Sequence, residues 1–353
     1  MASLARESRG SGLLRSAIHN SHHLGQVITL RRLMGLWPAT RRDHHLVDNA
    51  SMSIPHRLAA ALLLALALAW HSSAAQSGRG RIVAIGDVHA DLGALRTALR
   101  TAGAVDARDE WVGGAMTVVQ MGDLVGRSDE ERQVLDYMFD LQRRARKAGG
   151  TVHALIGNHE VMGGRLDNQA VGPNPFPAWE NVSGLVRNDR RLGHLPPYAR
   201  ARGAALMPGG PYARQIAEFP VVLTLRETVF VHGGVVPRWA RYGVDRINRE
   251  VRDWLLGQRG EPDSALGVDD GDRVMWTRQF SASVTPADCE LLDESLEILG
   301  ARRMIVAHTV HPEITARCDG RVWAVDVGMS RAYGGRVEVL EIVNDSTLRV
   351  LRP

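Results

Sequence analysis

Gly157-Asn158-His159-Glu160, placed directly after the apolar run at 152–156, decides how the rest of this chain reads. Alone the tetrapeptide is a weak signal. Four other polar clusters, however, also sit at the ends of apolar runs. Residues 82–85 lead into Gly86-Asp87-Val88-His89, and residues 116–119 lead towards Gly122-Asp123-Leu124-Val125-Gly126-Arg127. Further on, residues 228–231 lead into His232-Gly233-Gly234, and residues 304–307 into His308-Thr309. Five short apolar strands, each delivering Asp, Asn or His at its C-terminal end, describe one polar site on the rim of a sheet. Open α/β folds place their chemistry there.

The chain around these clusters alternates. Residues 91–102 carry Leu92, Leu95 and Leu99 at helical spacing, and 129–148 carry Val134, Leu135, Met138, Phe139 and Leu141 on one face. Arg143, Arg144 and Arg146 close that second helix as a solvated turn complementing its dipole. The β-α-β-α-β beginning predicts parallel strands joined by right-handed crossovers. From 163 to 219 the pattern breaks into a segment dense in Pro and Gly, with short helical pieces expected at 179–185 and 212–218. A long insert beside a site is a candidate lid. Thereafter strands are expected at 221–225 and 228–231, and helices at 245–256 and 286–300, the latter capped by Thr285 and stopped by Gly300. The tail reads as strands at 322–325, 337–342 and 347–351.

Composition bounds the function. With 44% hydrophobic and 23% charged residues the chain is globular. Its net charge of +4 equals the surplus of Arg6, Arg9, Arg15, Arg31, Arg32, Arg41 and Arg42 over Glu7, Asp43 and Asp48 in residues 1–51. The remainder is near neutral, so nothing supports nucleic-acid binding. Residues 58–70 form a short apolar run behind Arg57 and ahead of Ser72-Ser73-Ala74-Ala75, the pattern of a secretory signal. Residues 52–75 are therefore expected to be a signal peptide cut after Ala75. Residues 1–51 read as a disordered extension or as sequence upstream of a true start at Met52. The mature domain is then 76–353, exported to a periplasm or secreted, and membrane-bound only if the segment stays uncleaved. In an exported protein Cys289 and Cys318 could form one disulfide, and in a cytosolic one they read as two small buried residues; the sequence leaves the pairing open.

Mixed oxygen and nitrogen ligands without thiolate suit Mn, Fe or Zn better than Ca or Mg. A carboxylate between two such cations holds them about 3.5–4 Å apart, where they clamp both oxygens of an in-line phosphoryl displacement and acidify bound water. The residues themselves thus predict a two-metal phosphoester hydrolase.

The series Gly-Asp-x-His, Gly-Asp-x-x-x-Arg, Gly-Asn-His-Glu, His-Gly-Gly and a late His resembles the calcineurin-like metallophosphoesterases. Within them it looks most like the phosphoprotein phosphatases and their bacterial Shewanella-like branch, over residues 81–327. The segments at 157–162 and 208–214 also look like that branch. The resemblance implies an α/β (α+β) architecture, a two-sheet β-sandwich flanked by helices, with a small cap from the insert at 163–219. It makes Asp87 and His89 ligands of the first of two divalent metals, Asp123 the bridge, and Asn158, His232 and His308 ligands of the second. His159 becomes the general acid. Arg127 binds the substrate phosphate, joined by Asn158 and, as a second clamp, Arg278. His311, His153 and His194 are peripheral.

Three positions depart from the family pattern: Ala90 and Ser128 stand where Gly is usual, and Gly126 where protein phosphatases often carry an Asp that orients the acid. His159 then lacks its partner unless Asp129 or another carboxylate substitutes. The expected activity is hydrolysis of phosphomonoesters, on phosphorylated protein or a small molecule. The rival readings are a dinucleoside polyphosphate hydrolase or phosphodiesterase of the same superfamily, and a weakly active metal- or phosphate-binding module.

Overall fold

Successive residues of the central strands divide between two cores. In the computed structural model, which describes residues 80–262 and 271–353, Ile82 and Ala84 of β1 (Arg81–Ile85) face one cluster while Val83 and Ile85 face another. Phe230 of β5 (Thr228–Val231) and Ile305 of β6 (Arg303–Val306) join Ile82 and Ala84; their neighbours Val229, Val231, Met304 and Val306 do not. The period-2 geometry of a strand makes this partition. One cluster fills the space between two sheets, and the other lies under the helices.

The first sheet runs β10–β9–β1–β2–β3 and the second β4–β5–β6–β8–β7. Here β2 is Thr117–Gln120, β3 Thr151–Ala154, β4 Val222–Leu225, β7 Thr315–Arg317, β8 Val322–Ala324, β9 Val339–Val343 and β10 Thr347–Leu351. As expected, β1, β2 and β3 pair parallel; β5, β6 and β8 do the same in the second sheet. All six point their C-terminal ends at the rim that carries the clusters.

Helices α1 (Leu92–Thr101) and α2 (Glu131–Lys147) cross between those strands. The Asp91 side chain caps α1 by accepting the Ala94 N–H at 3.0 Å, and Leu95, Leu99, Leu135 and Met138 are fully buried beneath. Arg144 is more engaged than a solvated turn requires, pairing with Asp140 at 2.6 Å and lying over Tyr137. After α3 (Asn158–Gly164), the insert forms its own small core from Leu166, Leu192, Leu195, Ala199, Ala204 and Met207. Of its expected helices, the piece at 212–218 is found and the one at 179–185 is not. A 3-10 turn, Phe176–Trp179, replaces the piece at 179–185, while α4 (Arg200–Leu206) and α5 (Pro211–Ile216) supply the α-helical content. Pro175 and Pro177 favour the tight turn and withhold N–H donors from anything longer. Helices α6 (Pro237–Tyr242), α7 (Val244–Leu255) and α8 (Pro286–Leu299) complete the layers; α8 has the Thr285–Asp288 capping box and the left-handed Gly300 cap. The extension at 1–51 and the signal at 52–75 lie outside the described residues.

Cys289 on α8 and Cys318 beside β7 form a disulfide, 29 residues apart. Closing a loop of that size restricts the unfolded chain by about 3–4 kcal/mol. Replacing both cysteines by alanine is expected to lower the melting temperature by roughly 10 °C, read by calorimetry. An unchanged melting curve would show that the bridge adds no stability.

Candidate metal centre

Glu160 assembles the rim. Its buried carboxylate accepts the backbone N–H groups of Asp123 (2.9 Å), Leu124 (2.8 Å), Val125 (3.2 Å) and Gly157 (2.8 Å). This clamps the loop after β2 to the start of α3. Burial and the neighbouring Asp123 charge push the carboxyl up to about 7 against those donors. The loop after β1 joins the same frame, because Val88 and His89 donate their N–H groups to the Asp123 carbonyl at 3.1 and 2.8 Å. His89, Asp123, Arg127 and His308 all adopt positive φ, a costly conformation that clusters at functional sites. Gly157 is needed for close approach, since a Cβ there would lie 2.2 Å from Asp123 Oδ1.

Asp123 is the centre of the cluster. Oδ1 accepts the His159 N–H at 2.9 Å. Oδ2 faces three imidazole Nε2 atoms, those of His232 (3.4 Å), His89 (3.8 Å) and His159 (3.8 Å). Burial alone would raise this carboxyl, but His232 and His159 hold it well below the usual range. His232 Nδ1 lies 2.9 Å from the Met121 carbonyl, which requires an N–H there and leaves Nε2 as the acceptor. That Nε2 is 2.9 Å from Asn158 Oδ1. Burial disfavours the charged ring, but Asp123 holds His232 above its ordinary value; a neutral ring would present two facing lone pairs, which a shared cation satisfies.

Burial lowers His89 to about 4 and His308 to about 3, so both rings are neutral donors near pH 7. Burial, reinforced by Asp326 and Asp123, raises Asp87, whose Oδ1 has no protein donor. His89–Asp123–His159 and Asp123–His232–His308 each place ligand atoms within 4.8 Å of one another. The oxygen and nitrogen donor set, the facing lone pairs and the orphaned Asp87 oxygen fit divalent cations. Asp87, His89, Asp123, Asn158, His232 and His308 would hold them.

Arg127 is exposed at the edge of this cluster and lies over the Tyr333 ring, 5.9 Å from its centroid. Arg278, also exposed, donates to the His308 carbonyl at 2.7 Å and to Thr309 Oγ1 at 2.9 Å. The six expected ligands, His159, Arg127 and Arg278 therefore sit at one rim. His311 lies outside the cluster, in contact with the Ser281 backbone. Asp129 does not substitute for the missing aspartate at 126; it accepts the Asn174 N–H at 2.8 Å. The carboxylate acting on His159 from that side is Glu131, bound to the Gly126 N–H at 3.0 Å and to Arg202 of the insert at 2.6 and 2.9 Å. Sequence reasoning also missed Tyr333, 5.1 Å from the His89 ring, and Asp326 beyond β8. Asp326 was within reach of the rule used for the other clusters, since it follows the apolar run at 322–325.

Residues 80–312 match the calcineurin-like phosphoesterase family. The chain belongs to that family. Calcineurin-like phosphoesterases use divalent metals, and this chain is a phosphoester hydrolase. The chain is 36% identical to Shewanella-like protein phosphatase 2 of Arabidopsis thaliana over 301 residues, 77% of each chain. It is 26% identical to Shewanella-like protein phosphatase 1 of Plasmodium berghei, covering 71% of this chain and 67% of that one. Among solved structures it resembles the cold-active protein-tyrosine phosphatase of a psychrophilic Shewanella species. The TM-score is 0.57 at 23% identity, over 77% of this chain and 80% of that one, a likeness of fold.

Proposed function

We propose that this phosphoesterase hydrolyses phosphomonoesters, with a phosphorylated protein side chain as substrate and two divalent cations of the Mn, Fe or Zn type as cofactors. The observation that carries this reading is Asp123, one carboxylate oxygen of which faces three imidazole Nε2 atoms in a buried cluster. Bound cations would supply an activated water and offset phosphate charge. The chain's own residues do the rest. Asp123 holds the two halves of the cluster in register. Arg127, exposed beside it, takes the phosphate oxygens through charge-assisted hydrogen bonds. Arg278 and Asn158 flank the same space. His159, buried at 5% exposure, delivers a proton to the leaving oxygen. The Arg127 N–H bonds the Ala170 carbonyl at 2.7 Å, which supports a role for the insert in positioning the phosphate clamp. Relatives named as protein phosphatases support a side-chain substrate. The Cys289–Cys318 pair supports the exported location.

Turnover of an aryl phosphate and of the matching diester tests the reading, after chelation and again with Mn²⁺, Zn²⁺ or Mg²⁺ restored. Metal-restored hydrolysis of the monoester is expected. Hydrolysis of the diester alone would move the chain to the phosphodiesterases. If neither ester turns over, the weakly active binding module is the better description.

A further inference from the structure

Asp326 is a buried carboxylate that the residues of the catalytic cluster do not explain. It follows β8, the parallel neighbour of β6, and so ends a sixth strand at the same rim. The packing brings it against the loop after β1: a Cβ on Gly86 would lie 2.6 Å from the Val325 carbonyl and 3.0 Å from Asp326 Cα. Asp326 Oδ1 accepts the Gly328 N–H at 2.9 Å, whereas Oδ2 is buried with no protein donor. Asp87, in side-chain contact with it, shows the same asymmetry. The His308 backbone N–H lies on one side of Asp87, where it favours the charged carboxylate, and Oδ1 has no donor. The two side chains are 1% and 2% exposed.

Two carboxylates in contact, away from water and each with an oxygen lacking a donor, repel unless something positive lies between them. Among the described residues no Lys, Arg or backbone N–H hydrogen-bonds to those two oxygens; His232 Nδ1 lies 3.8 Å from Asp87 Oδ1, but its proton goes to the Met121 carbonyl. Asp87 also has His89 Nε2 at 3.7 Å from Oδ2, so the same pocket already contains a nitrogen donor suited to a cation. We propose that Asp326 is a further holder of the cation taken by Asp87 and His89, raising the carboxylate count of that half of the centre. This rests on the metallophosphatase reading and deepens it. The position lies beyond the residues 80–312 that match the family.

The test compares metal-stripped full-length protein with Asp326→Asn, titrated with Mn²⁺ by calorimetry, with bound metal counted by elemental analysis. Asparagine keeps the shape and an oxygen for the Gly328 N–H but removes the charge. Wild type is expected to take up two equivalents. The variant should bind one with unchanged affinity and the other about 10–100-fold more weakly. If the variant instead binds both as tightly as wild type, the proposal is overturned. Asp87 and Asp326 would then share a proton, which an asparagine N–H replaces. Asp326→Ser, smaller and also uncharged, serves if the asparagine variant does not fold, with the same expected loss. A wild-type protein that takes up no metal would overturn the metallophosphatase reading, and this proposal with it. Two equivalents bound with wild-type affinity in both variants would overturn this proposal alone.

Discussion

Asp123→Asn is expected to abolish tight metal binding and lower phosphomonoester turnover by about three orders of magnitude, equivalent to ~4 kcal/mol of transition-state stabilisation. The fold should survive. Asparagine keeps an oxygen for the His159 N–H, now accepted by Oδ1 at 2.9 Å, and the Glu160 clamp uses the Asp123 backbone rather than its side chain. What changes is the other arm. An amide N–H₂ would face the three Nε2 atoms now 3.4–3.8 Å from Oδ2. Its protons satisfy imidazole lone pairs that otherwise converge on cations, and the bridging charge is gone. Loss of a single preorganised donor commonly costs 10²–10³ in turnover, and this change removes a charge common to both groups of candidate ligands. Metal content after dialysis, melting temperature in chelator and turnover of an aryl phosphate separate the effects. Wild-type metal content in a stable variant would remove Asp123 from its bridging place.

The strand ends were legible because five clusters obey one rule, an apolar run followed by Asp, Asn or His, and because a strand's direction fixes the rim on which its end emerges. The partition of each strand between two cores was not legible. Both faces of β1, β5 and β6 are apolar, so the sequence shows continuous runs where the fold distinguishes Ile82 from Val83 and Phe230 from Val229. The insert was read least well. Arg200–Leu206 contains Gly203 and Arg202, which argue weakly for a buried helix. Arg202 is nonetheless 2% exposed, because Glu131 and Asn168, distant in sequence, satisfy its guanidinium. No local pattern announces such a pairing. Asp326 was overlooked for a different reason: the strand before it was legible at 322–325, but the family motifs ended with His308.

His159→Ala should separate substrates by leaving group. A positioned general acid contributes about 10²–10⁴-fold when the leaving oxygen needs its proton. An alkyl phosphate of the Ser/Thr type is therefore expected to lose about 10²-fold or more, while an activated aryl phosphate, whose phenolate departs unaided, loses less than about 10-fold. Equal losses on both would sink the acid assignment. Gly126 sharpens the argument. Where a protein phosphatase carries an aspartate to orient this ring, a Cβ here would lie 2.0 Å from His159 Nδ1, and the backbone has φ +84°. Gly126→Asp should therefore displace the ring rather than restore a partner. Its profile is expected to copy His159→Ala, with the alkyl ester lost first and metal content unchanged. The loop is built around the glycine instead: the Gly126 N–H goes to Glu131, and burial lowers the proton affinity of His159, offset in part by Asp123 and, less, by Glu131. A Gly126→Asp enzyme more active on alkyl phosphates than wild type would mean that the ring can yield and that the missing carboxylate limits this catalyst.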